Sequence, residues 1–139
     1  MRVVIDTNVF VSGIFFGGAP RKILNLIEEK ILTPCFIVST FIELERLLYH
    51  PKFIHQRNLL SFSIGDFLDQ LKNYSLLFEQ PPKIPTVIRE DKADNCFLAC
   101  AISAEAFFII SGDSHLLKLK SFQNIPILTP RQFLNQKEF

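Results

Sequence analysis

The chain has 139 residues, of which 48% are hydrophobic and 21% are charged, and its formal net charge is +1. This length and composition favour one globular domain spanning residues 1–139, and the near-zero charge excludes binding of nucleic acid or membranes through overall charge. No run of sequence approaches the roughly 20 apolar residues that a membrane span needs, so we expect a soluble, cytoplasmic protein.

The cysteines favour a reduced, intracellular protein. Cys35, Cys96 and Cys100 are odd in number, and the last two are four residues apart in an apolar segment, which is typical of buried free thiols. The three histidines, His50, His55 and His115, show no zinc-ligand spacing relative to these cysteines. We therefore expect no Cys/His zinc site.

The first part of the chain alternates apolar strands with amphipathic helices. The continuous β-branched run VVI predicts a buried strand that ends at Asp6. The segment GIFFGGAP is expected to be a loop, and Pro20 is expected to open a helix that runs to about Lys30. After the apolar run PCFIVS, Ser39 or Thr40 is expected to cap a second helix.

The second part continues the alternation. An amphipathic helix containing FLDQLKNY is followed by a strand within YSLLFE and by the stiff, proline-rich loop QPPKIP. A helix from Asp94 to about Ala106 precedes the continuous apolar strand FFIIS, a short helix around HLLKL and a last strand in PILTP. Because two of the strands appear buried on both faces, the pattern predicts an α/β sandwich with a parallel sheet.

Four acidic residues are expected at the carboxyl edge of that sheet. Asp6 and Asp113 each follow a buried strand, and Glu43 and Asp94 lie near the starts of helices that would face the same edge. Converging carboxylates repel one another unless a cation neutralises them, and hard oxygen ligands of this kind suit Mg²⁺ or Mn²⁺. Such ions can activate water for attack on phosphorus, so the pattern indicates phosphodiester hydrolysis.

Each acid also has a structural alternative. Asp6 could close an Asx-turn, and Glu43 could form a capping box with Thr40. Asp94 could simply complement the dipole of its helix, and Asp113 could be the N-cap of the helix that follows it. Taken one at a time, the residues leave these alternatives open.

Four sequence blocks in a fixed order resemble the PIN domain family. They are IDTNVFVSG, a helix that carries IEL and is followed by YHPKF, DKADNCFLACA, and FFIISGDSHLL. Over about residues 3–130 the chain is similar to PIN proteins regarded as toxin components of toxin–antitoxin modules. The resemblance implies a three-layer α/β/α sandwich with a central parallel sheet, and a ribonuclease that depends on Mg²⁺ or Mn²⁺. By position, it implies that the catalytic, metal-binding acids are Asp6, Glu43, Asp94 and Asp113.

The resemblance also implies supporting residues and partners. Thr7, Asn8 and Ser111 occupy positions that orient the acids, with Ser111 standing where Thr is frequent. The second block departs most, with His50 in place of a usual Arg, which bears on substrate contacts rather than on the acids. RNA would be the substrate, a cognate antitoxin could insert a cation among the carboxylates, and homodimers are common in the family.

RNA binding by a nearly neutral chain requires local contacts. The candidate cations are Lys52, Arg57, Arg89, Lys92, Lys118 and Lys120. Phe15 and Phe16, in the expected loop after the first strand, could stack on bases or meet a partner, although burial is the commoner fate of such residues.

Three other functions are weighed against this one. A PIN-like module that binds protein or RNA with weak or no nuclease activity would not need all four acids. A haloacid-dehalogenase-like phosphatase would need a second Asp where this chain has Asn8. A nucleotide-binding module is disfavoured because GIFFGGAP lacks both the P-loop ending and the G-x-G-x-x-G spacing.

Overall fold

A strand of β-branched residues lies at the centre of the molecule. The computed structural model describes residues 1–88 and 92–136, apart from the Lys92 side chain. The strands are β1 Arg2–Ile5, β2 Thr33–Phe36, β3 Leu76–Leu77, β4 Phe108–Ile110, β5 Ser121–Phe122 and β6 Ile125–Leu128. They form one sheet in the order β3-β2-β1-β4-β6-β5. All neighbouring strands are parallel except β5, which is antiparallel to β6. The expected parallel sheet is confirmed, with one antiparallel edge strand added.

The strand order reverses between β1 and β4. The chain passes from β1 outward to β2 and β3, and then crosses to β4 on the other side of β1. Ile5 is in register with Ile110, and the backbone N–H of Asp6 donates to the Ile110 carbonyl oxygen at 2.9 Å. Asp6 and Ser111 therefore leave the sheet side by side, at the crevice where open α/β sheets bind ligands.

Helices cover both faces of the sheet. In chain order they are α1 Thr7–Phe15, α2 Gly18–Glu28, α3 Val38–Leu48, α4 Ile54–Asn58, α5 Ile64–Tyr74, α6 Lys92–Ala104, α7 Ser114–Leu117 and α8 Pro130–Leu134, with a 3₁₀ turn at Pro51–Phe53. Within the described ranges, none of these helices has the length and apolar character needed to cross a bilayer.

Two hydrophobic cores lie on opposite faces of the sheet. Val3 and Ile5 of β1 pack in the core formed with α1, α2, α5 and α8, whereas Val4 packs in the core formed with α6. Since successive side chains of a strand point to opposite faces, the continuous VVI run is buried on both sides. The resulting arrangement is the three-layer α/β/α sandwich that the resemblance implied.

The segment after β1 corrects the sequence analysis. GIFFGGAP was expected to be a loop, but its first residues complete α1, which begins directly after Asp6. Gly13 lies inside that helix, at a position where a larger residue would not fit. A Cβ there would meet Leu24 Cδ1 at 2.8 Å and the Pro20 carbonyl oxygen at 2.9 Å. Gly17 and Gly18, with φ of 85° and 71°, make the turn between α1 and α2.

The start of α3 also differs from expectation. Neither Ser39 nor Thr40 is the N-cap, because the helix begins at Val38 with Ile37 as its N-cap. Thr40 lies three residues after that cap, where its hydroxyl accepts from the Ile37 N–H at 3.1 Å and donates to the Ile37 carbonyl oxygen at 3.0 Å. This local exchange lets the helix begin two residues earlier than the polar residues suggested.

Candidate metal centre

Asp6 is held at the junction of β1 and α1. Its side chain is only 3% exposed, and it caps α1 by accepting the Asn8 N–H on Oδ1 at 3.1 Å. This is the structural role that the sequence left open for Asp6. A carboxylate has two oxygens and about four lone-pair sites, so the cap does not exhaust the group.

Ser111 connects Asp6 with the end of β4. Its hydroxyl donates to Asp6 Oδ2 at 2.7 Å and accepts the backbone N–H of Asp113 at 2.9 Å. The serine is completely buried, so these two hydrogen bonds are shielded from water. One hydroxyl therefore fixes the Asp6 carboxylate relative to the turn that carries Asp113.

Asp113 opens the short helix α7. Its Oδ1 accepts from the backbone N–H groups of His115 and Leu116, at 2.7 and 3.4 Å, which confirms the N-cap role considered for it. The side chain remains 26% exposed. Because the cap fixes its rotamer, Asp113 presents a carboxylate of defined orientation at the carboxyl end of β4.

Asp94 approaches the same edge from the other layer. It lies in the first turn of α6 and is 4% exposed. Single ligand atoms of Asp94, Asp113 and His115 all lie within 4.8 Å of one another, which makes these three a group that could hold a metal ion among the described residues. The structure thus brings together two of the four predicted acids directly, and Ser111 connects a third.

The donor set of this group fits a divalent cation. It offers two carboxylates and one imidazole nitrogen, and Nδ1 of His115 is buried with no hydrogen-bond partner among the described residues. Carboxylates at such spacing favour a bound cation because it offsets their mutual repulsion. The buried nitrogen beside two carboxylates is the feature that ordinary hydrogen bonding leaves unexplained.

Glu43 lies on α3, a helix that contacts both α1 and α6. It is half-buried and is not part of the three-residue group, and nor is Asp6. The capping box of Glu43 with Thr40, which the sequence left open as an alternative, does not form, since Ile37 is the N-cap of α3 and the hydroxyl of Thr40 bonds to Ile37. The metal role of Glu43 stays a prediction.

The supporting residues have different environments. Thr7 is 3% exposed at the first position of α1, and Asn8, which is exposed, supplies the backbone N–H that Asp6 accepts. Ser111 makes the hydrogen bonds already described. Of the three, Ser111 has the most direct contact with an acid side chain.

A cleft of about 590 Å³ opens at the same edge. Asn8, Ser12, Asp113, Ser114 and Arg131 are among the residues that line it. The guanidinium of Arg131 is exposed and has no hydrogen-bond or ion-pair partner within residues 1–88 and 92–136. A cation without a partner thus shares a cleft with a capped carboxylate.

The cations proposed from the sequence separate into groups. Arg57 donates to the carbonyl oxygens of Leu48 and His50, at 2.9 and 2.8 Å, which assigns it a structural role. Lys52 lies over the Phe53 ring at 5.2 Å. Lys118 and Lys120 are exposed, whereas Arg89 and the Lys92 side chain lie outside the described residues.

Phe15 and Phe16, which were expected in a loop, are the last residue and the C-cap of α1, and they differ from each other. Phe15 is half-buried, with its ring centroid 5.2 Å from that of Phe53, whereas Phe16 is 64% exposed. Phe15 therefore contributes to packing, whereas Phe16 is largely exposed and makes an edge contact with the Phe15 ring, with the centroids 6.4 Å apart.

Cys35 and Cys100 lie in the hydrophobic core and are not part of the candidate metal group. Burial raises the pKa of the Cys35 thiol to about 11 and that of the Cys100 thiol to about 12, because desolvation disfavours the thiolate. The Cys100 thiol donates to the Cys35 carbonyl oxygen at 3.3 Å. Both residues therefore remain neutral thiols in the core at physiological pH.

Sequence analysis missed two residues of this region. It considered His115 only in relation to the cysteines, and it did not consider Arg131. The signal available for His115 was its position two residues after Asp113, since an N-capping Asp fixes the backbone of the first turn. The position of Arg131 became visible only in the structure, where it lines the cleft that also contains Asp113.

Comparisons with known proteins find a relative by sequence and solved structures with a similar fold. Over 99% of its length the chain is 28% identical to the uncharacterized protein MJ1680 of Methanocaldococcus jannaschii, covering 92% of that protein. The crystal structure of VapBC2 from Rickettsia felis, bound to a DNA fragment from their promoter, matches with a TM-score of 0.58 and 15% identity, covering 91% of this chain and 97% of that chain. PAE2754 from Pyrobaculum aerophilum matches with a TM-score of 0.55 and 14% identity, covering 96% of this chain and 86% of that chain.

These structural similarities concern the fold, and the family is shown by sequence. A model of the PIN domain matches residues 2–115, which include β1, the acids at the carboxyl edge and His115. The chain belongs to the PIN domain family.

Proposed function

We propose that this protein is a metal-dependent endoribonuclease that hydrolyses RNA phosphodiester bonds with Mg²⁺ or Mn²⁺. Its catalytic acids would be Asp6, Glu43, Asp94 and Asp113, within a single catalytic domain of residues 1–139. Family membership supports nuclease chemistry in general, and the geometry of the carboxyl edge supports the choice of residues.

One observation carries the proposal. The carboxylates of Asp94, on α6, and Asp113, after β4, lie together where the strand order reverses, and the buried Ser111 joins the Asp6 carboxylate to the backbone N–H of Asp113. Each acid alone has a structural explanation. Their convergence costs free energy through repulsion, so a function that uses a cation accounts for it better than two helix caps and one acid that complements a helix dipole.

The side chains at this site would have different roles in the reaction. Asp94 and Asp113 would hold the cation, with Glu43 contributing directly or through water. Ser111 would orient Asp6 by donating to Oδ2, and the N–H of Asn8 would fix Oδ1. A divalent cation supplies the Lewis acidity that makes a water nucleophilic and stabilises the leaving oxygen in phosphoryl chemistry. Thr7 would support the start of α1 beneath these groups.

The substrate strand would pass along the cleft beside the acids. Arg131 lines this cleft with Asp113 and could contact a phosphate next to the one that is cleaved. Such a contact positions the backbone without selecting a sequence. Exposed Lys118 and Lys120, in and just after the last turn of α7, could add to this attraction.

Structural similarity supports a proposal for the biological setting. VapBC2 from Rickettsia felis is a complex bound to promoter DNA, which supports the proposal that this chain is the toxin component of a toxin–antitoxin module. The partner would be a cognate antitoxin that places a cation among the carboxylates. We further propose that the protein acts in the cytoplasm and that it forms a homodimer.

The proposal is tested by cleavage of a mixed set of labelled RNAs. The purified protein is incubated with Mg²⁺ or Mn²⁺, and separately with EDTA, beside an Asp6→Asn, Asp113→Asn double variant purified identically. Asn retains capping ability at both positions, so the fold should survive while two negative charges are lost. We expect cleavage that requires metal and disappears in the double variant.

Two results would contradict it. Equal cleavage by both proteins would identify a contaminating nuclease. Absence of cleavage by either protein, with metal binding still detectable, would favour a PIN-fold module that binds RNA or protein instead.

A further inference from the structure

We propose that Nδ1 of His115 is a ligand of the divalent cation, together with the carboxylates of Asp94 and Asp113. The proposal rests on the proposed function, because it concerns the same cation site. It adds a nitrogen ligand to an otherwise oxygen-only set. Its consequence is a preference for Mn²⁺ over Mg²⁺.

The backbone around His115 is fixed in place. Asp113 caps α7 by accepting the backbone N–H of His115 at 2.7 Å, while its own N–H is held by Ser111. The imidazole ring is about one third exposed, with its side chain at 35%, yet its Nδ1 atom is buried. The ring therefore turns Nδ1 inward and leaves another part of itself in solvent.

Nδ1 lies 3.6 Å from Asp113 Oδ1 and 3.9 Å from Asp94 Oδ2. Both separations exceed the roughly 3.2 Å limit of a good N–H···O hydrogen bond. They are also shorter than about 4.2 Å, which is the largest separation that two atoms can have when each is bound to the same metal ion by a bond of about 2.1 Å. These distances therefore suit groups that share one cation better than groups bonded to each other.

A different explanation uses the same geometry. A protonated His115 could itself act as the counter-charge of the two carboxylates, and both distances fall within the range of ion pairs. In that case no nitrogen would touch a bound metal. The two explanations differ in whether Nδ1 carries a proton or coordinates, which spectroscopy of a bound paramagnetic ion can distinguish.

The nitrogen ligand determines the choice of metal. Mg²⁺ favours oxygen ligands and retains several waters, whereas imidazole suits first-row transition metals. A site with two carboxylates and one imidazole should therefore bind Mn²⁺ more tightly than Mg²⁺, and His115 should be responsible for much of the difference.

The test uses the full chain loaded with Mn²⁺ at less than one equivalent. Pulsed electron paramagnetic resonance detects ¹⁴N modulation when an imidazole nitrogen coordinates the ion. We expect this signal in the wild type and in a His55→Leu control, since His55 lies exposed on α4, and not in His115→Leu. Calorimetry should show Mn²⁺ affinity falling about 10-fold or more in His115→Leu, with Mg²⁺ affinity changing less than about 2-fold.

The wild-type spectrum decides the proposal even if His115→Leu fails to fold. Bound Mn²⁺ without ¹⁴N modulation would overturn it, as would unchanged Mn²⁺ affinity in a folded His115→Leu variant. Either result would leave metal-dependent RNA cleavage intact, because the cleavage assay with the Asp6 and Asp113 variants tests that function separately.

Discussion

Replacing Ser111 by Ala removes the hydroxyl that joins Asp6 to the Asp113 turn. The variant loses a hydrogen bond to a carboxylate, worth about 1.5–3 kcal/mol, and one from a backbone N–H, worth about 0.5–1.5 kcal/mol. Since Ser111 is completely buried, water replaces these partners poorly. We expect Ser111→Ala to lower the free energy of unfolding by about 2–4 kcal/mol.

The loss should be measured by urea unfolding in EDTA, so that metal binding does not contribute. A decrease of this size corresponds to a Tm lowered by about 6–16 °C for a chain of this length. Ser111→Thr is the matched control because it keeps the hydroxyl, so it should lose much less stability and retain cleavage. Ser111→Ala should also cut RNA about 10- to 100-fold more slowly, since Asp6 loses its orienting partner.

A double-mutant cycle with Asp6→Ala isolates the contact. The coupling free energy between positions 6 and 111 should be about 1.5–3 kcal/mol. The reasoning would be refuted by a coupling near zero. It would also be refuted by a Ser111→Ala variant as stable as the wild type.

Three further predictions concern Asp113, Arg131 and the two buried cysteines. Asp113→Asn should abolish cleavage while changing the free energy of unfolding by less than about 0.5 kcal/mol, because Asn can still cap α7. Asp113→Ala should abolish cleavage and also lower the free energy of unfolding by about 1 kcal/mol, because the cap is lost. Urea unfolding distinguishes the two variants. Arg131→Gln should raise the KM for RNA cleavage, and it should reduce the salt dependence of RNA binding by about one phosphate contact in a binding titration. The control Lys30→Gln, at the opposite edge of the sheet, should change neither quantity. The folded pKa values of Cys35 and Cys100, about 11 and 12, lie above their ordinary value of 9.0. Stability should therefore be retained below pH 9 and fall as the pH rises towards 12, and a Cys35→Ala, Cys100→Ala variant should lack this component in unfolding titrations.

The alternation of apolar runs was sufficient to predict the sheet and most of its helices. VVI and FII are continuous because β1 and β4 are covered on both faces, and Asp6 and Ser111 directly follow these two strands. The same pattern failed for α1, since Gly17, Gly18 and Pro20 suggested that all of GIFFGGAP is a loop, whereas its first three residues are helical. The small size of Gly13 serves close packing against Leu24 and Pro20, a contact between helices that local sequence does not reveal.

The candidate site was predictable only in part. The resemblance to the PIN domain family predicted the four acids, which stay a prediction, and strand ends suggested a shared edge for Asp6 and Asp113. The proximity of His115 to Asp94 depends on how α6 packs against β4, which no spacing in the sequence encodes. Arg131 lies beyond residues 2–115 that match the family, so its place in the cleft comes from the packing of α8 alone.

The most direct test of the account is a crystal of the wild-type protein grown with Mn²⁺ and measured near the manganese absorption edge. The account predicts an anomalous peak at the carboxyl edge of β1 and β4, about 2.0–2.4 Å from carboxylate oxygens of Asp94 and Asp113. A map without a peak at this edge, at a Mn²⁺ concentration that saturates binding in solution, would contradict the account.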